Sequence, residues 1–161
     1  TISGLNSLVI GETQIAGQVR EAYRMASQNG ATKLILNRLF HKAFEVNKRV
    51  RAETRIGEGI VSVGHAAVKL AEKIFYPLQN CETLIVGAGE TAHLTARHFK
   101  EKGVSSIVVA NRTLSRAKKL AADVGGQAIP LDLLEEYLVR ADIVVSATAS
   151  PEPFLTKENI Q

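Results

Sequence analysis

Apolar positions follow one period in the first half of this chain and another in the second. As far as Pro77 they recur at threes and fours, the spacing of one helix face. Ile15, Val19, Ala22, Tyr23 and Ala26 mark a first helix over Gly11–Ser27, which Asn29-Gly30 stops. Leu36, Leu39, Phe40, Ala43, Val46, Asn47 and Val50 mark a second over Thr32–Thr54, with Thr32 as its N-cap and Gly57-Glu58-Gly59 as its break. At about 1.5 Å per residue this helix is roughly 30 Å long. Val63, Ala66, Ala67, Leu70, Ala71, Ile74 and Phe75 mark a third, capped by Ser62 and closed by Pro77.

From Thr83 onward, short apolar runs alternate with helical stretches. Thr83–Val86, Ser106–Ala110, Gln127–Ile129 and Ile143–Ser146 read as strands. A helix over Glu90–Lys102, stopped by Gly103, separates the first two. The next is capped by Thr113, carries Ala117, Leu120, Ala121 and Val124, and ends at Gly125-Gly126. The last is short, opened by the capping box Asp132-Leu133-Leu134-Glu135 and ending near Leu138. Strands separated by helices pair in parallel through right-handed crossovers. The predicted class is therefore α/β: a Rossmann-like parallel sheet in the order 3-2-1-4, preceded by an α-helical segment. Residues 1–55 are assigned to the helical part and 56–161 to the sheet domain. Thr156 reads as the cap of a helix cut short at Gln161, and Thr1–Val9 as a cut end. The chain is thus expected to be a piece of a longer protein.

Composition narrows the class only a little. The 161 residues are 45% apolar and 22% charged, ordinary for a globular protein. No apolar run approaches the roughly 20 residues that span a bilayer, so no membrane partner is expected. A single cysteine, Cys81, excludes an intrachain disulfide and agrees with a reducing, cytoplasmic location. The net charge of +4 is unevenly placed. Between Lys33 and Arg55, Lys33, Arg38, Lys42, Lys48, Arg49, Arg51 and Arg55 meet only Glu45 and Glu53. Such a face can receive phosphates, nucleic acid included; a solvated helix face has the same composition.

The densest chemistry lies at the end of the first strand, in Gly87-Ala88-Gly89-Glu90-Thr91-Ala92. In a strand–turn–helix context this is the GxGxxG/A fingerprint. The first glycine permits the tight turn, the second lets the backbone approach a pyrophosphate, and the small third residue lets helix pack on strand. Amide groups at the helix start, aided by the helix dipole, face the phosphates. The second strand ends in Asn111-Arg112-Thr113, where NAD sites usually carry Asp or Glu. An arginine there suits a 2′-phosphate, with Thr113 adding a hydroxyl and Arg116 a second charge one turn on. NADPH is the expected cofactor. Small residues at Ser146-Ala147-Thr148-Ala149-Ser150, after the fourth strand, leave room for a nicotinamide ring or form a plain loop. Cys81 has no neighbour in sequence that would activate a thiol and reads as structural. His41, His65, His93 and His98 lack metal-ligand spacing and read as surface or packing residues.

Gly4-Leu5-Asn6-Ser7-Leu8-Val9-Ile10-Gly11-Glu12-Thr13-Gln14-Ile15 resembles a sequence block of the glutamyl-tRNA reductases. Asn37–Phe44 and Lys48–Thr54 resemble the next block, and the segments at Ser62, Gly87, Ala110, Ala141 and Thr148 follow in the family's order. The resemblance covers essentially the whole chain. It implies NADPH-dependent reduction of glutamyl-tRNA to glutamate-1-semialdehyde, at the start of tetrapyrrole (porphyrin and heme) biosynthesis. The route runs through a cysteine thioester. It also implies that Ser7, Glu12, Thr13, Gln14 and Gln18 contact substrate, and that Gly87, Ala88, Gly89, Glu90, Thr91 and Ala92 form the NADP-binding turn. Thr13 stands where the family usually has proline, and Ala16 where it usually has leucine.

The family's nucleophilic cysteine sits in a Cys-Asn-Arg context that this chain lacks, and Cys81 does not match it. No catalytic residue is therefore assigned within the chain, and the chain by itself is expected to be inactive. Homodimerisation is expected only in the full-length protein, through a C-terminal domain absent here. Handover of the semialdehyde to the aminomutase that uses it is a further implied partnership. Two other readings stay open: an NADP-dependent oxidoreductase of shikimate-dehydrogenase type, and a non-catalytic nucleotide- or RNA-binding module using the Lys33–Arg55 face.

Overall fold

β1 (Glu82–Val86) is the axis of the second half of the chain. It pairs in parallel on one side with β2 (Ser106–Asn111), Leu84 opposite Val108, and on the other with β4 (Ile143–Ser146), Leu84 opposite Val144. β3 (Gln127–Pro130) lies outside β2, so the strand order is β3-β2-β1-β4, as the alternation predicts. The computed structural model describes residues 1–7, 9–57, 62–148, 150, 153, 155 and 156. It divides into two units, Thr1–Val63 and Gly64–Gln161.

In the second unit the central strands β1 and β2 are buried on both faces, which is why they read as continuous apolar runs. One face carries Ile85, Ile107 and Val109 and is covered by α4 (Glu90–Glu101) and α5 (Leu114–Val124) through Ala92, Ala96, Phe99, Ala117, Leu120 and Ala121. Leu84, Val86, Val108 and Ala110 form the other face, against Ile129 and Leu134. Phe99 is fully buried, and a side chain of that size contributes about 1.5–3 kcal/mol by leaving water. α5 ends as its glycines predict: Gly125 is left-handed at φ 68°, and the Gly126 amide returns to the Ala121 carbonyl at 2.8 Å.

α3 (Val63–Ile74) turns inward only part of the stripe its sequence suggests, keeping Ala71 and, half-buried, Ala66 and Ala67. Val63, Leu70 and Ile74 are exposed; Gly64, Val68 and Ala71 are buried, with Phe75 half-buried beyond them. Contact depth decides this. A Cβ at Gly64 would press on the Thr95 hydroxyl of α4 and stand 3.2 Å from the Thr95 Cα, so only glycine lets the two helices approach so closely. Glu72 then joins them, reaching Lys102 at 2.7 Å and its own helix's Lys69 at 3.2 Å.

In the first unit, α1 (Thr13–Gln28) and α2 (Leu34–Glu53) meet through rings. Tyr23 lies 5.1 Å from Phe40 and 5.8 Å from Phe44, and its hydroxyl donates to Asn37 Oδ1 at 3.2 Å. Much of the predicted α2 stripe is not covered within this unit: Leu36, Leu39 and Val46 are exposed, and Asn47 is its buried residue. Two helices can each hide only one narrow strip against the other.

Two predicted caps are displaced and a third forms without its side-chain bond. Lys33, not Thr32, precedes α2, without a side-chain cap. The Asp132 box is taken up by a 3-10 turn over Leu131–Leu133, so α6 (Leu134–Leu138) starts after Leu133. Thr113 does occupy the N-cap of α5, but its hydroxyl makes no cap bond. The helix predicted after Thr156 lies outside the described residues, as do Glu58 and Gly59 of the predicted break.

Gly64→Ala gains up to about 1 kcal/mol of helix propensity but overpacks the α3–α4 contact by about 1–3 kcal/mol. The Thr95 hydroxyl, held on the Thr91 carbonyl at 2.8 Å, is not free to swing aside. Net destabilisation of about 1 kcal/mol is expected in urea unfolding; a midpoint at or above that of the parent would refute the close contact.

Candidate functional site

The carboxyl ends of the strands enclose a cavity of about 330 Å³. It is lined by the glycine turn after β1, the Asn111-Arg112 corner after β2, Leu131 after β3, and Ala147, Thr148 and Ser150 after β4. In an open parallel sheet this end is where ligands lie.

The two glycines of the turn have separate reasons. Gly87 has φ 114°, and a Cβ on it would run into the Ala147 carbonyl. Its amide donates to the Ala110 carbonyl at 2.8 Å, while the Ala147 amide donates to the Val86 carbonyl at 2.8 Å. The turn is thereby drawn between β2 and β4. Gly89 has an ordinary φ of −86°, and a Cβ there would meet no atom within 4 Å. Among the described residues, nothing demands a glycine at that position. The bare backbone faces the cavity at the N-terminus of α4, where a bound phosphate would be received. The site therefore fits a dinucleotide by its shape.

Arg112 and Arg116 both line the cavity. Asn111 Nδ2 donates to the Thr113 carbonyl at 2.9 Å, closing the corner that carries Arg112. None of the described lining residues carries a carboxylate, so an added phosphate would meet only positive charge. Thr148 lines the cavity too, and its hydroxyl accepts the Ser150 amide at 3.3 Å.

Four other predicted residues stand apart from the lining. Glu90 is exposed on the first turn of α4, Thr91 is half-buried, Ala92 is fully buried against the sheet, and Thr113 is exposed beside the corner. Ala92 thus serves helix packing, the part the third fingerprint position plays. Ala147 and Ser150 belong to the small-residue segment the sequence places after the fourth strand, whereas Leu131 lies outside the sequence-predicted site, although it follows a strand's carboxyl end, which is the signal that finds it.

Cys81 is buried immediately before β1, at the end of the strand away from the cavity. Five residues at about 3.3 Å each place roughly 16 Å of strand between them. Burial, and then the Asp142 carboxylate, push its thiol above the ordinary value. It is not an activated nucleophile. Among the histidines, His93 faces Asp123 at 3.6 Å, and His98 meets Glu101 at 3.2 Å and the His65 ring at 5.4 Å.

In the first unit, Ser7 donates to the Glu12 carboxylate at 2.7 Å just before α1, so two of the substrate-assigned residues touch. Thr13 and Gln14 open α1, and Gln18 is exposed one turn on. A second cavity, about 430 Å³, lies between α1 and α2 beside Tyr23 and Phe44. Its arginines are already engaged, Arg24 by Glu21 at 2.6 Å and Arg20 over the Phe44 ring at 5.8 Å. The basic run on α2 is partly neutralised as well: Lys42 pairs with Glu45 at 2.7 Å, Arg49 with Glu53 at 3.1 Å, and Arg51 turns to backbone carbonyls.

Comparison with known proteins brings the two units under one family. Residues 1–54 match the family model of the glutamyl-tRNAGlu reductase N-terminal domain. Residues 69–161 match that of shikimate / quinate 5-dehydrogenase. Across 159 residues the chain is 49% identical to a glutamyl-tRNA reductase of Shewanella sediminis, covering 99% of this chain and 38% of that protein. The chain belongs to the glutamyl-tRNA reductase family. Its sheet domain also belongs to the shikimate / quinate 5-dehydrogenase domain family.

A glutamyl-tRNA reductase of Lawsonia intracellularis is 46% identical over the same length, with 37% of it covered. The solved glutamyl-tRNA reductase of Methanopyrus kandleri superposes with a TM-score of 0.59 at 44% identity, over 99% of this chain and 40% of that one. The nucleotide-binding domain of the Thermoplasma volcanium enzyme, 19% identical, shares the fold, with a TM-score of 0.53 over 64% of this chain and 71% of that one. The chain spans somewhat over a third of the curated relatives it matches. The N-terminal match separates it from shikimate dehydrogenases, with which the sheet domain alone would group it. Among the described residues, no helix is long and apolar enough to cross a membrane.

Gly87→Ala is expected to destabilise the chain by about 1–3 kcal/mol, through the positive φ and the carbonyl clash. Gly89→Ala is expected to leave stability within about 0.5 kcal/mol while weakening dinucleotide binding at least about tenfold. Urea unfolding and cofactor titration of both variants separate the two roles, and equal stability losses would contradict them.

A thiol whose pKa is raised by folding keeps its proton longer in the native state. Stability therefore falls as pH rises past the ordinary thiol value of about 8.5. The stability advantage of the parent over Cys81→Ala should hold at neutral pH and narrow as pH rises past about 8.5; a constant gap would place the thiol in an ordinary environment.

Proposed function

We propose that this chain is the NADPH-binding part, with adjoining substrate-recognition residues, of an enzyme that reduces glutamyl-tRNA to glutamate-1-semialdehyde for tetrapyrrole synthesis. In this reading, residues 1–55 are the end of the catalytic domain with connecting helices, and 56–161 the cofactor domain. The observation that carries the cofactor half is the pairing of Arg112 and Arg116 in one cavity with the bare backbone of Gly89 and, among the described lining residues, no carboxylate. Family membership of both units supports the substrate half.

The bound cofactor supplies the hydride. The chain's own residues bind and orient it. The α4 amino end and Gly89 receive the pyrophosphate, and Arg112 and Arg116 hold the 2′-phosphate. The small residues Ala147 and Thr148 after β4 leave space at the reacting end. On the substrate side, Ser7, Glu12, Thr13, Gln14 and Gln18 recognise the aminoacyl group. The attacking thiolate belongs to a part of the enzyme outside this chain, since Cys81 is buried and held protonated. Glutamyl-tRNA is thus the partner of the whole enzyme, with dimer formation and handover of the semialdehyde also properties of the whole. A cytoplasmic location belongs to this reading, the chain's single cysteine offering no intrachain disulfide.

NADPH and NADH titrations of the parent and Arg112→Ala test the cofactor assignment. A charge-assisted hydrogen bond is worth about 1.5–3 kcal/mol, so Arg112→Ala should lose about 10- to 100-fold in NADPH affinity and little in NADH affinity. An unchanged preference would remove Arg112 from this role. Turnover of glutamyl-tRNA by the isolated chain would refute the external nucleophile.

A further inference from the structure

Of the residues assigned to substrate recognition, Ser7 and Glu12 belong to the loop that leads into α1, and Thr13, Gln14 and Gln18 lie on the helix itself. Gly4 and Gly11 turn the loop at φ 75° and 84°, and the Gly11 amide closes it on the Gly4 carbonyl at 3.1 Å. Ser7 spans it to the Glu12 carboxylate at 2.7 Å. Glu12 stands at the N-cap of α1, but its side chain makes no cap bond; it is committed to Ser7 instead. These contacts set the loop's internal shape. They do not set where the loop stands on the helix pair.

That placement comes from the far end of α2. The half-buried Arg51 directs Nη2 at two consecutive backbone carbonyls, Gly11 at 3.0 Å and Glu12 at 3.2 Å. Gly11 also rests directly on the Ile56 backbone, where a Cβ would collide with the Ile56 carbonyl. Arg51 thus pins the two residues that join the loop to α1, across about 40 positions of sequence. A cation is poorly placed at a helix N-terminus for the sake of the helix, because the dipole there is positive. Arg51 also stands in the last turn of α2, where a cation suits the helix dipole, but that does not account for Nη2 reaching the Gly11 and Glu12 carbonyls, whereas holding Glu12 and the first turn of α1 in one position does.

We propose that Arg51 is a positioning residue for aminoacyl recognition: its guanidinium clamps the Gly11 and Glu12 carbonyls so that Ser7, Glu12 and Gln14 keep the arrangement that binds the glutamyl group. This rests on the substrate assignment of the loop given above. Arg51 itself touches no substrate in this scheme. Its loss raises the ligand-free loop's freedom, which appears as weaker binding of substrate, with cofactor binding untouched.

The test uses the full-length enzyme. Arg51→Met keeps the apolar stem and removes the donors; Arg51→Lys restores a donor and the charge. Arg51→Met is expected to raise KM for glutamyl-tRNA about tenfold, with kcat within about threefold and NADPH affinity unchanged, and Arg51→Lys to recover part of the KM. An unchanged KM in Arg51→Met overturns the proposal. So does a loss of kcat at constant KM, which is the mark of a merely smaller folded fraction. Glu12→Gln is measured alongside. If it raises KM while Arg51→Met does not, only the clamp fails. If neither does, the substrate assignment of the loop fails and takes the clamp with it.

Discussion

The cofactor domain depends on one backbone contact, the approach of Gly87 to the Ala147 carbonyl. That contact leaves no volume for a side chain. It brings the end of β1 against the end of β4, while hydrogen bonds from the Gly87 amide to the Ala110 carbonyl and from the Ala147 amide to the Val86 carbonyl hold the three strand ends in register. The cavity is the space left above this junction. α4 starts immediately beyond it and presents its amino end there because the turn is this short. A larger residue at the turn would lift α4 from the sheet, along with the buried Ala92, Ala96 and Phe99 that anchor it.

Packing and chemistry are thus divided between neighbouring positions of one motif. Gly87 and Ala92 answer to the protein's own atoms, and Gly89 answers to none of them. The same division holds after β2. Ala110 is buried, Asn111 closes the corner through the Thr113 carbonyl, and Arg112 is left in solvent at the cavity. Cys81 lies at the opposite end of β1, where burial and Asp142 hold it protonated. Reactive and structural ends of the sheet are kept apart by the length of the strand.

The helical unit is organised differently. It has no sheet to cover, so its apolar residues outnumber what α1 and α2 can hide from water between them. Its order comes from the Tyr23–Phe40–Phe44 rings and from polar reach: Ser7 to Glu12, and Arg51 to the carbonyls before α1. Such a unit is specified by a few directed contacts rather than by area.

By itself, the sequence determined the strand order, the helix positions, the glycine turn and the basic corner after β2. These rest on local rules: period, turn residues, and the alternation that forces parallel crossovers. It also carried the family resemblance on which the proposed substrate residues depend. Tertiary structure decided what local rules cannot. It chose the Gly64–Val68–Ala71 stripe of α3 over the more apolar Val63–Leu70–Ile74 one, because closeness to Thr95 outweighs hydrophobicity there. It replaced the Asp132 box by a 3-10 turn and left Thr32 and Thr113 without cap bonds. It turned Arg51 out of a charged run and onto the loop before α1, a contact between residues about 40 positions apart that no local pattern encodes. Which side chain meets which backbone across such distances is a property of three-dimensional packing, since only there do the competing partners stand side by side.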